Sequence, residues 1–459
     1  MRFICFILVA MMPLSLTYAQ QCGIDPEVVQ TLKKPRYGTP SLSEGIVGDV
    51  NEIIDFKDAV YDDQGNIIAA GIYQIKGKPT RSIILSKLDR RGRTQWQTIQ
   101  TLANVRDIKE FLPLKNGWIM LATTQANKST PLSHLITFNK DGAIKDNNTL
   151  PKGFSAEDMI VLDNQTYLIA GTMSSKATPP YAVVMHMNAK GNKTFQRAYR
   201  PGADTTLLDL TRMNNGMIMA SGHISDTQNN QAAWVMMINE KGEIQWQQRY
   251  ARGRAARVLD TYMLDNTHIM IAGQIVSDND TIGSAAWVAM IDAQNGTMHW
   301  ERFYTTDSHH NAAQAILPTN RGRSVSVLMR AKPSYPVIGV SDYLTRVLTL
   351  NWRGVLLNLQ DYASGKGARV NAIISAPNDN RALIGMVQRE YTSVSLAPET
   401  ESDENTTSSI AQVPTPVDMQ SGWILRIPAV DIYQDPCLPQ NNMTQPVQPP
   451  TTTQKSYFP

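Results

Sequence analysis

Short apolar runs separated by polar turns recur along most of the chain. One run, residues 234–238, is followed by the turn 239–242 and by a segment in which Trp246 and Tyr250 stand four positions apart. The run is too short for an independent helix and is bounded by turn residues, so it predicts a buried strand. The turn begins with Asn and ends with Gly, which favours a tight reversal, and a period of two puts both rings on one face. The stretch therefore predicts a β-hairpin.

The same hairpin pattern returns at intervals of about fifty residues. Six turns share an Asn or Asp that precedes a Gly, at residues 89–92, 139–142, 188–191, 239–242, 292–296 and 351–354. An apolar strand, usually ending in Gly, precedes each hairpin and occurs at residues 67–71, 118–122, 167–171, 217–222, 268–273, 324–328 and 382–385. Each repeat contains four strand signals and no long helical pattern, which is typical of a propeller blade. The sequence predicts an all-β fold, a seven-bladed β-propeller with four antiparallel strands per blade.

The segments outside the repeats set the expected boundaries. Residues 1–19 combine Arg2, an apolar core and small residues at the end, which indicates a signal peptide and export to the periplasm or the medium. Residues 20–52 form a lead-in, and the propeller occupies 53–437, with residues 431–433 as a possible last outer strand. A Ser-, Thr- and Pro-rich insertion at about 389–420 and the Pro-, Gln- and Thr-rich tail 438–459 are expected to be disordered.

The cysteines add a prediction about the two ends of the ring. Of the three cysteines, Cys5 lies in the signal peptide, while Cys22 and Cys437 flank the repeats. A propeller brings its first and last blades together, so a disulfide between Cys22 and Cys437 would lock the ring in an oxidising compartment. Two unpaired cysteines in flexible termini are the alternative.

Charge and motifs exclude several functions. The formal net charge of +3 is too small to indicate binding to nucleic acid, and the apolar part of the leader is too short for stable membrane insertion. We expect a monomer. The sequence contains no paired-histidine zinc helix, phosphate loop or elbow serine, and it predicts no catalytic residue, metal site or cofactor.

Basic residues gather in the connections between the outer strand of one repeat and the inner strand of the next. All these connections should emerge on one face of the ring, and they carry Arg200, Arg252, Arg254, Arg257, His309, His310, Lys366 and Arg369. Converging guanidinium groups could bind a carboxylate, a phosphate or an acidic glycan. Solvated loop charges are the alternative interpretation.

The repeat resembles those of bacterial secreted β-propeller proteins over about residues 53–427. Residues 292–300, Asp-Ala-Gln-Asn-Gly-Thr-Met-His-Trp, are similar to the tryptophan-docking motif of quinoprotein-like propellers. The resemblance implies that Trp96, Trp246 and Trp300 pack between blades. A rigid ring presents loops and broad faces without moving, which predicts a non-enzymatic binding or assembly scaffold, with an envelope or extracellular protein or an acidic glycan as partner. A propeller enzyme, either a glycan hydrolase or lyase or a divergent quinoprotein, is the alternative.

Overall fold

The computed structural model describes most of the chain between residues 27 and 429. The described ranges are 27–31, 41–102, 104–125, 131–163, 165–277, 283–306, 310–319, 324–332, 344–362, 367–376, 380–392 and 416–429. Every regular element in these ranges is a β-strand. They contain no helix that could span a membrane.

The strands of the first half form four consecutive antiparallel sheets. The first sheet contains β3 (Glu52–Tyr61), β4 (Ile67–Ile75), β5 (Arg81–Leu88) and β6 (Thr94–Gln100). The second contains β7 (Val105–Leu114), β8 (Gly117–Thr124), β9 (Leu132–Phe138) and β10 (Ile144–Thr149). The third contains β11 (Phe154–Val161), β12 (Tyr167–Met173), β13 (Tyr181–Met187) and β14 (Lys193–Tyr199). The fourth contains β15 (Asp204–Arg212), β16 (Ile218–Ser225), β17 (Gln231–Ile238) and β18 (Ile244–Tyr250).

Three more sheets follow in the described residues. The fifth contains β19 (Ala255–Met263), β20 (His268–Val276), β21 (Ser284–Asp292) and β22 (Met298–Thr305). The sixth contains β23 (His310–Thr319), β24 (Ser324–Lys332), β25 (Leu344–Asn351) and β26 (Leu356–Tyr362). The seventh contains β27 (Gly367–Ser375), β28 (Arg381–Thr392), β29 (Pro416–Ile427) and, from the start of the chain, β2 (Ser43–Val47).

The hairpin turns have the geometry that their sequence predicts. In the second sheet, the backbone N–H groups of Asp141 and Ala143 donate to the side-chain oxygen of Asn139. Gly142 has a φ of 79°, which is accessible to glycine without steric cost. The turn of the fourth sheet repeats this arrangement with Asn239 and Gly242. The polar side chain and the glycine together fix the reversal.

The hydrophobic core lies between sheets rather than inside them. Each apolar cluster combines residues from two consecutive sheets, and one cluster joins Ile54 and Phe56 of the first sheet to Ile374, Ile384 and Ile424 of the seventh. The first strands of consecutive sheets lie side by side, and β27 lies against β3. The first and last sheets therefore pack against each other.

Aromatic residues of several outer strands fix one sheet to the next. Trp246 donates its indole N–H to the carbonyl of Ala293, at 3.0 Å, and Tyr250 donates its hydroxyl to the carbonyl of Gly296. Trp300 makes the equivalent bond to Trp352 at 3.1 Å. A side chain on Gly296 would collide with the Trp246 ring. These tryptophans pack between sheets, as the sequence motif implied.

The seventh sheet differs from the sequence-based expectation. Its outer strand is β2, which pairs antiparallel with β29, so part of the predicted lead-in belongs to a sheet. The alternative outer strand, residues 431–433, lies outside the described residues. β2 contacts the first sheet, since Ser43 donates to the carbonyl of Arg90 at 3.1 Å. A strand from the N-terminal part of the chain thus completes the last described sheet.

Two further segments differ from expectation. The insertion at about 389–420 was predicted to be disordered, but both of its ends lie in paired strands. β28 and β29 continue to pair into it, from the pair Arg389 and Met419 to the pair Thr392 and Pro416. Residues 393–415 lie outside the described part. The sequence did not predict β1 (Glu27–Thr31), which pairs parallel with β22 at the outer edge of the fifth sheet.

Candidate functional site: the central channel

The first strand of every described sheet contains an extra residue at the same place, and β7 contains a second one, Arg106. The register shifts by one residue, a β-bulge, midway along all seven first strands. The extra residues are Lys57, Lys109, Glu157, Leu208, Leu259, Gln314 and Asn371. A bulge bends its strand and redirects a side chain out of the regular alternation.

Glycines on the second strands accommodate these bulges. A Cβ on Gly385 would lie 1.9 Å from the carbonyl oxygen of Arg369, and one on Gly171 would lie 2.0 Å from that of Ser155. The same close approach occurs at Gly222 and Gly273. The glycine that ends most of the predicted companion strands therefore packs closely against the backbone of the bulged strand.

The bulged residues surround a central cavity of about 460 Å³. All seven bulged side chains line it, together with residues that follow the bulge, such as Ile316 and Ile373. Leu208 and Leu259 are half-buried. The cavity is therefore built by side chains of different chemistry at equivalent positions of one repeated backbone.

One side of the channel carries a chain of alternating charges across four sheets. Lys57 Nζ lies 2.7 Å from Asp55 Oδ2 and 3.9 Å from Asp107 Oδ1. Lys109 Nζ lies 3.3 Å from Asp107 Oδ2 and 2.9 Å from Glu157 Oε2.

The chain of charges continues into the seventh sheet. Arg369 Nη2 lies 2.5 Å from Asp55 Oδ2. Burial would lower the pKa of Lys109, but Glu157 and Asp107 outweigh it and raise that pKa. Lys109 is therefore protonated at neutral pH. The chain contains three cations and three carboxylates, so it is neutral in sum.

The seventh and sixth sheets complete the polar side. Asn371 donates its amide to Asp55 Oδ1 at 2.8 Å and to the carbonyl of Phe56 at 2.6 Å, which joins the seventh sheet to the first. Arg330 donates to the carbonyl of Val370 at 2.7 Å. The bulged side chains on the opposite side, Leu208 and Leu259, are apolar, and Asp260 also lines the cavity there. The bulged positions thus divide into a charged or polar side and a smaller apolar side.

Buried acids next to the bulges connect neighbouring first strands. The N–H of Phe111 donates to Asp58 Oδ2 at 2.9 Å, and the N–H of Leu210 donates to Asp158 Oδ2 at 2.6 Å. Asp260 accepts from Ile316 in the same way at 2.8 Å. A buried carboxylate that accepts backbone hydrogen bonds contributes to structure. These acids are therefore committed to holding the ring of strands.

Sequence reasoning missed both the bulged residues and these acids. One signal could have found them: an acid follows the bulge in five repeats, at Asp58, Glu110, Asp158, Asp209 and Asp260. A buried acid that recurs at the repeat spacing predicts a shared structural contact.

The structure gives separate partners to three of the basic residues that the sequence grouped. Arg252 Nε lies 2.9 Å from Glu301 Oε1, on the outer strand of the fifth sheet. Arg200 is exposed and stacks on the Tyr181 ring, with Cζ 3.9 Å from its centroid. Arg369 belongs to the charge chain of the channel. Arg252 and Arg369 are therefore already paired with carboxylates.

The remaining predicted site residues either are exposed or lie outside the described residues. Arg254 and His310 are exposed at the starts of β19 and β23. His309, Lys366, Cys22 and Cys437 lie outside the described residues. Anion binding by this group and the disulfide stay predictions. In the ranges that the structure describes, no three His, Cys, Asp or Glu side chains are arranged to hold a metal ion.

Comparisons with known proteins give structural likeness only. No protein-family model matches the chain, and no curated protein does. The chain is similar to the β-propeller domain of the Trilobed protease from Pyrococcus furiosus, with 7% identity, a TM-score of 0.42 and coverage of 72% of this chain and 89% of that one. It is also similar to a neuraminidase-like protein from A/bat/Guatemala/164/2009, with 8% identity, a TM-score of 0.41 and coverage of 67% and 91%.

A third similar structure is a protein of unknown function from Bacteroides caccae, with 10% identity, a TM-score of 0.38 and coverage of 61% and 90%. Likenesses this distant say nothing about activity, and the resemblance to quinoprotein-like propellers stays a prediction. The fold assignment depends instead on four-stranded antiparallel sheets packed face to face around their first strands. This arrangement defines a β-propeller protein.

Proposed function

We propose that the protein is an exported, seven-bladed β-propeller that binds a small amphiphilic ligand in its central channel. One observation carries the proposal: the bulged residues of all the described first strands converge on one cavity of about 460 Å³. The cavity combines a charged or polar side with a smaller apolar side, as ligand sites do when polar groups set orientation and apolar walls supply affinity. The closed cycle of hydrophobic clusters supports seven blades.

The ion pairs of the polar side favour a binding site over a reactive one. Lys57 and Lys109 are each held between two carboxylates. Such pairing fixes the side chains in position and balances their charge. A rigid ring with preformed cavity walls binds a ligand without the free-energy cost of ordering its own side chains. A role as a scaffold for an envelope or extracellular protein, or for an acidic glycan, would use the outer faces of the same ring.

The experiment is a titration of the exported chain with a panel of small amphiphiles, followed by calorimetry. Leu259→Trp fills the apolar side and should abolish binding. Ile244→Trp, on an outer strand where Ile244 is 41% exposed, is the matched control and should bind like the wild type. Binding that survives Leu259→Trp, or no binding by the wild type to any amphiphile, would contradict a channel site.

An enzyme acting on glycans is the second candidate. Asp107 and Glu157 both contact Lys109 in the cavity, and a pair of carboxylates is what glycoside hydrolysis requires. Incubation with a panel of acidic and neutral glycans should release reducing ends in the wild type and not in Glu157→Gln. No release by the wild type would remove this candidate.

Export is part of the main proposal. The signal peptide 1–19 should be removed, so the mature chain should begin at Gln20. N-terminal sequencing of the protein from the periplasm or the medium tests this. Recovery of the chain in the cytoplasm with Met1 intact would contradict export.

A further inference from the structure

Two histidines of the fifth sheet meet at its surface. His268 begins β20 and His299 lies in β22, and β21 runs between those two strands. The centres of the two imidazole rings are 5.1 Å apart, and the ring planes are inclined by 53°. The side chains are 34% and 38% exposed, so a small solute can reach both rings. Neither histidine lines the central cavity.

A bulge on the outer strand brings the second ring to this place. His299 is the extra residue at the register shift between β21 and β22, and a bulge redirects the side chain of its extra residue. His268 lies opposite Asp292, the last residue of β21. Asp292 Oδ2 is 3.9 Å from His299 Nε2. The two rings therefore meet at the end of β21, beside a carboxylate.

Hydrogen bonds fix which nitrogen of His268 carries the proton. Its Nδ1 lies 3.0 Å from both carboxylate oxygens of Asp265 and 2.8 Å from the hydroxyl oxygen of Thr267. The Thr267 hydroxyl donates to Asp265 Oδ1 at 2.7 Å, so both neighbours of Nδ1 act as acceptors. Nδ1 therefore donates, and in the neutral ring the lone pair is on Nε2. Within the described ranges, no residue hydrogen-bonds to that nitrogen.

The turn and the bulge do not themselves require histidine. In the first, third and fourth sheets, the position of His268 is occupied by Asn66, Thr166 and Met217, and that of His299 by Gln95, Thr194 and Gln245. The same backbone hydrogen bond and the same bulge form in those sheets. Both imidazoles are therefore available to a ligand.

The spacing of the rings fits a single metal ion. Zinc binds imidazole nitrogens at about 2.0–2.1 Å, and two rings held at a tetrahedral angle then have centres about 5 Å apart. Imidazole is a suitable ligand for Cu²⁺, Ni²⁺ and Zn²⁺. A histidine that binds a metal ion usually donates its other ring N–H to a carboxylate, as His268 does to Asp265.

We propose that His268 and His299 bind one divalent transition-metal ion, and that Asp265 is the positioning residue that holds the His268 ring. In the described part of the chain, no three His, Cys, Asp or Glu side chains are arranged around an ion, so water completes the coordination. Cu²⁺ should bind more tightly than Ni²⁺ or Zn²⁺. This site is separate from the channel, so binding there does not depend on the channel ligand.

The experiment is a calorimetric titration of the full exported chain with CuCl₂, after metal has been stripped with a chelator. His268→Gln and His299→Gln should each weaken binding at least about tenfold, because each removes one of the two protein ligands. Asp265→Asn should weaken binding about tenfold while keeping an oxygen for the turn. His186→Gln, at a strand histidine that stacks on Phe195, is the matched control and should bind like the wild type.

Unfolding measurements separate loss of the ligand from loss of the fold. Without metal, the His268→Gln and His299→Gln variants should unfold at the midpoint of the wild type, since both side chains are partly exposed. Zn²⁺ should raise the midpoint of the wild type and of neither variant. No binding of Cu²⁺ by the wild type would overturn the inference. Binding that survives both substitutions, or that depends on only one of the two rings, would overturn it as well.

Discussion

A buried ion pair in the sixth sheet gives a prediction whose size can be worked from the structure. Arg346 on β25 and Asp361 on β26 are paired across the two strands, with Arg346 Nε 2.9 Å from Asp361 Oδ1 and both side chains 2% exposed. The equivalent position in the fourth, fifth and seventh sheets is a tryptophan, at Trp234, Trp287 and Trp423. The fold therefore accepts an apolar residue at this position.

The perturbation is Arg346→Met alone and together with Asp361→Leu. Arg346→Met leaves a buried carboxylate without its cation, which should cost about 3–5 kcal/mol of unfolding free energy at pH 7.5. The double variant removes both charges and should be as stable as the wild type or about 1–4 kcal/mol more stable. Arg200→Met, at an exposed arginine, is the control and should change stability by less than about 0.5 kcal/mol.

The pH dependence follows from Asp361. Burial raises the pKa of Asp361 to about 6, although Arg346 opposes the shift. The folded state thus holds this proton more tightly than the unfolded state. Its stabilising contribution is present below about pH 4 and is lost as the pH rises through 6, which amounts to roughly 2–3 kcal/mol. The double variant should lack this loss.

Equilibrium urea unfolding followed by tryptophan fluorescence at pH 4, 5, 6 and 7.5 measures all four proteins. The other titrating groups are common to the wild type and the double variant, so they cancel in the difference between them. If the difference in unfolding free energy between the wild type and the double variant does not change with pH, the argument for Asp361 is refuted. An Arg346→Met protein as stable as the wild type would refute the argument for the pair.

Three further predictions concern the frame of the ring. Gly385→Ala would put a Cβ 1.9 Å from the carbonyl oxygen of Arg369, so thermal unfolding should show a loss of about 1–3 kcal/mol. Ala122→Gly is the control, because the second sheet already has alanine at the equivalent position, and it should cost no more than about 1 kcal/mol. Tyr304→Phe removes the hydrogen bond to Gly354, at 3.0 Å, and should cost about 1 kcal/mol; urea unfolding that shows no loss would contradict its role in docking the sheets. Cys22 and Cys437 should resist thiol labelling in the exported protein until a reductant is added, and immediate labelling of both would rule out the disulfide.

The hairpins could be predicted from sequence because each depends on neighbours along the chain. The side chain of Asn239 accepts from Lys241 and Glu243 within one turn, and Gly242 supplies a φ of 74°. Trp246 and Tyr250 are bulky, and their spacing survives in several repeats. Turn residues that act on their own neighbours, and bulky residues that recur at the same spacing in several repeats, can both be recognised in a single sequence.

The outer strand of the seventh sheet could not be predicted in the same way. β2 is five residues long and only Gly45 and Val47 in it are buried, so it has little hydrophobic signal of its own. Its place depends on the free edge of β29, which is almost four hundred residues away in the chain. Non-local pairing of a short strand leaves no local pattern to detect.

The residues of the channel could not be predicted from the sequence for a different reason, and that reason bears on the function of the protein. Positions that hold the frame keep their residue type in most repeats: five of the seven second strands have a glycine opposite the residue before the bulge, and five of the seven first strands have an acid directly after the bulge. The bulged position itself is under no such constraint, and it ranges from Lys57 to Glu157 to Leu259. A fixed backbone thus presents a freely variable set of side chains to one cavity. Since packing does not dictate their chemistry, the division into a charged side and an apolar side is where selection for a ligand would act.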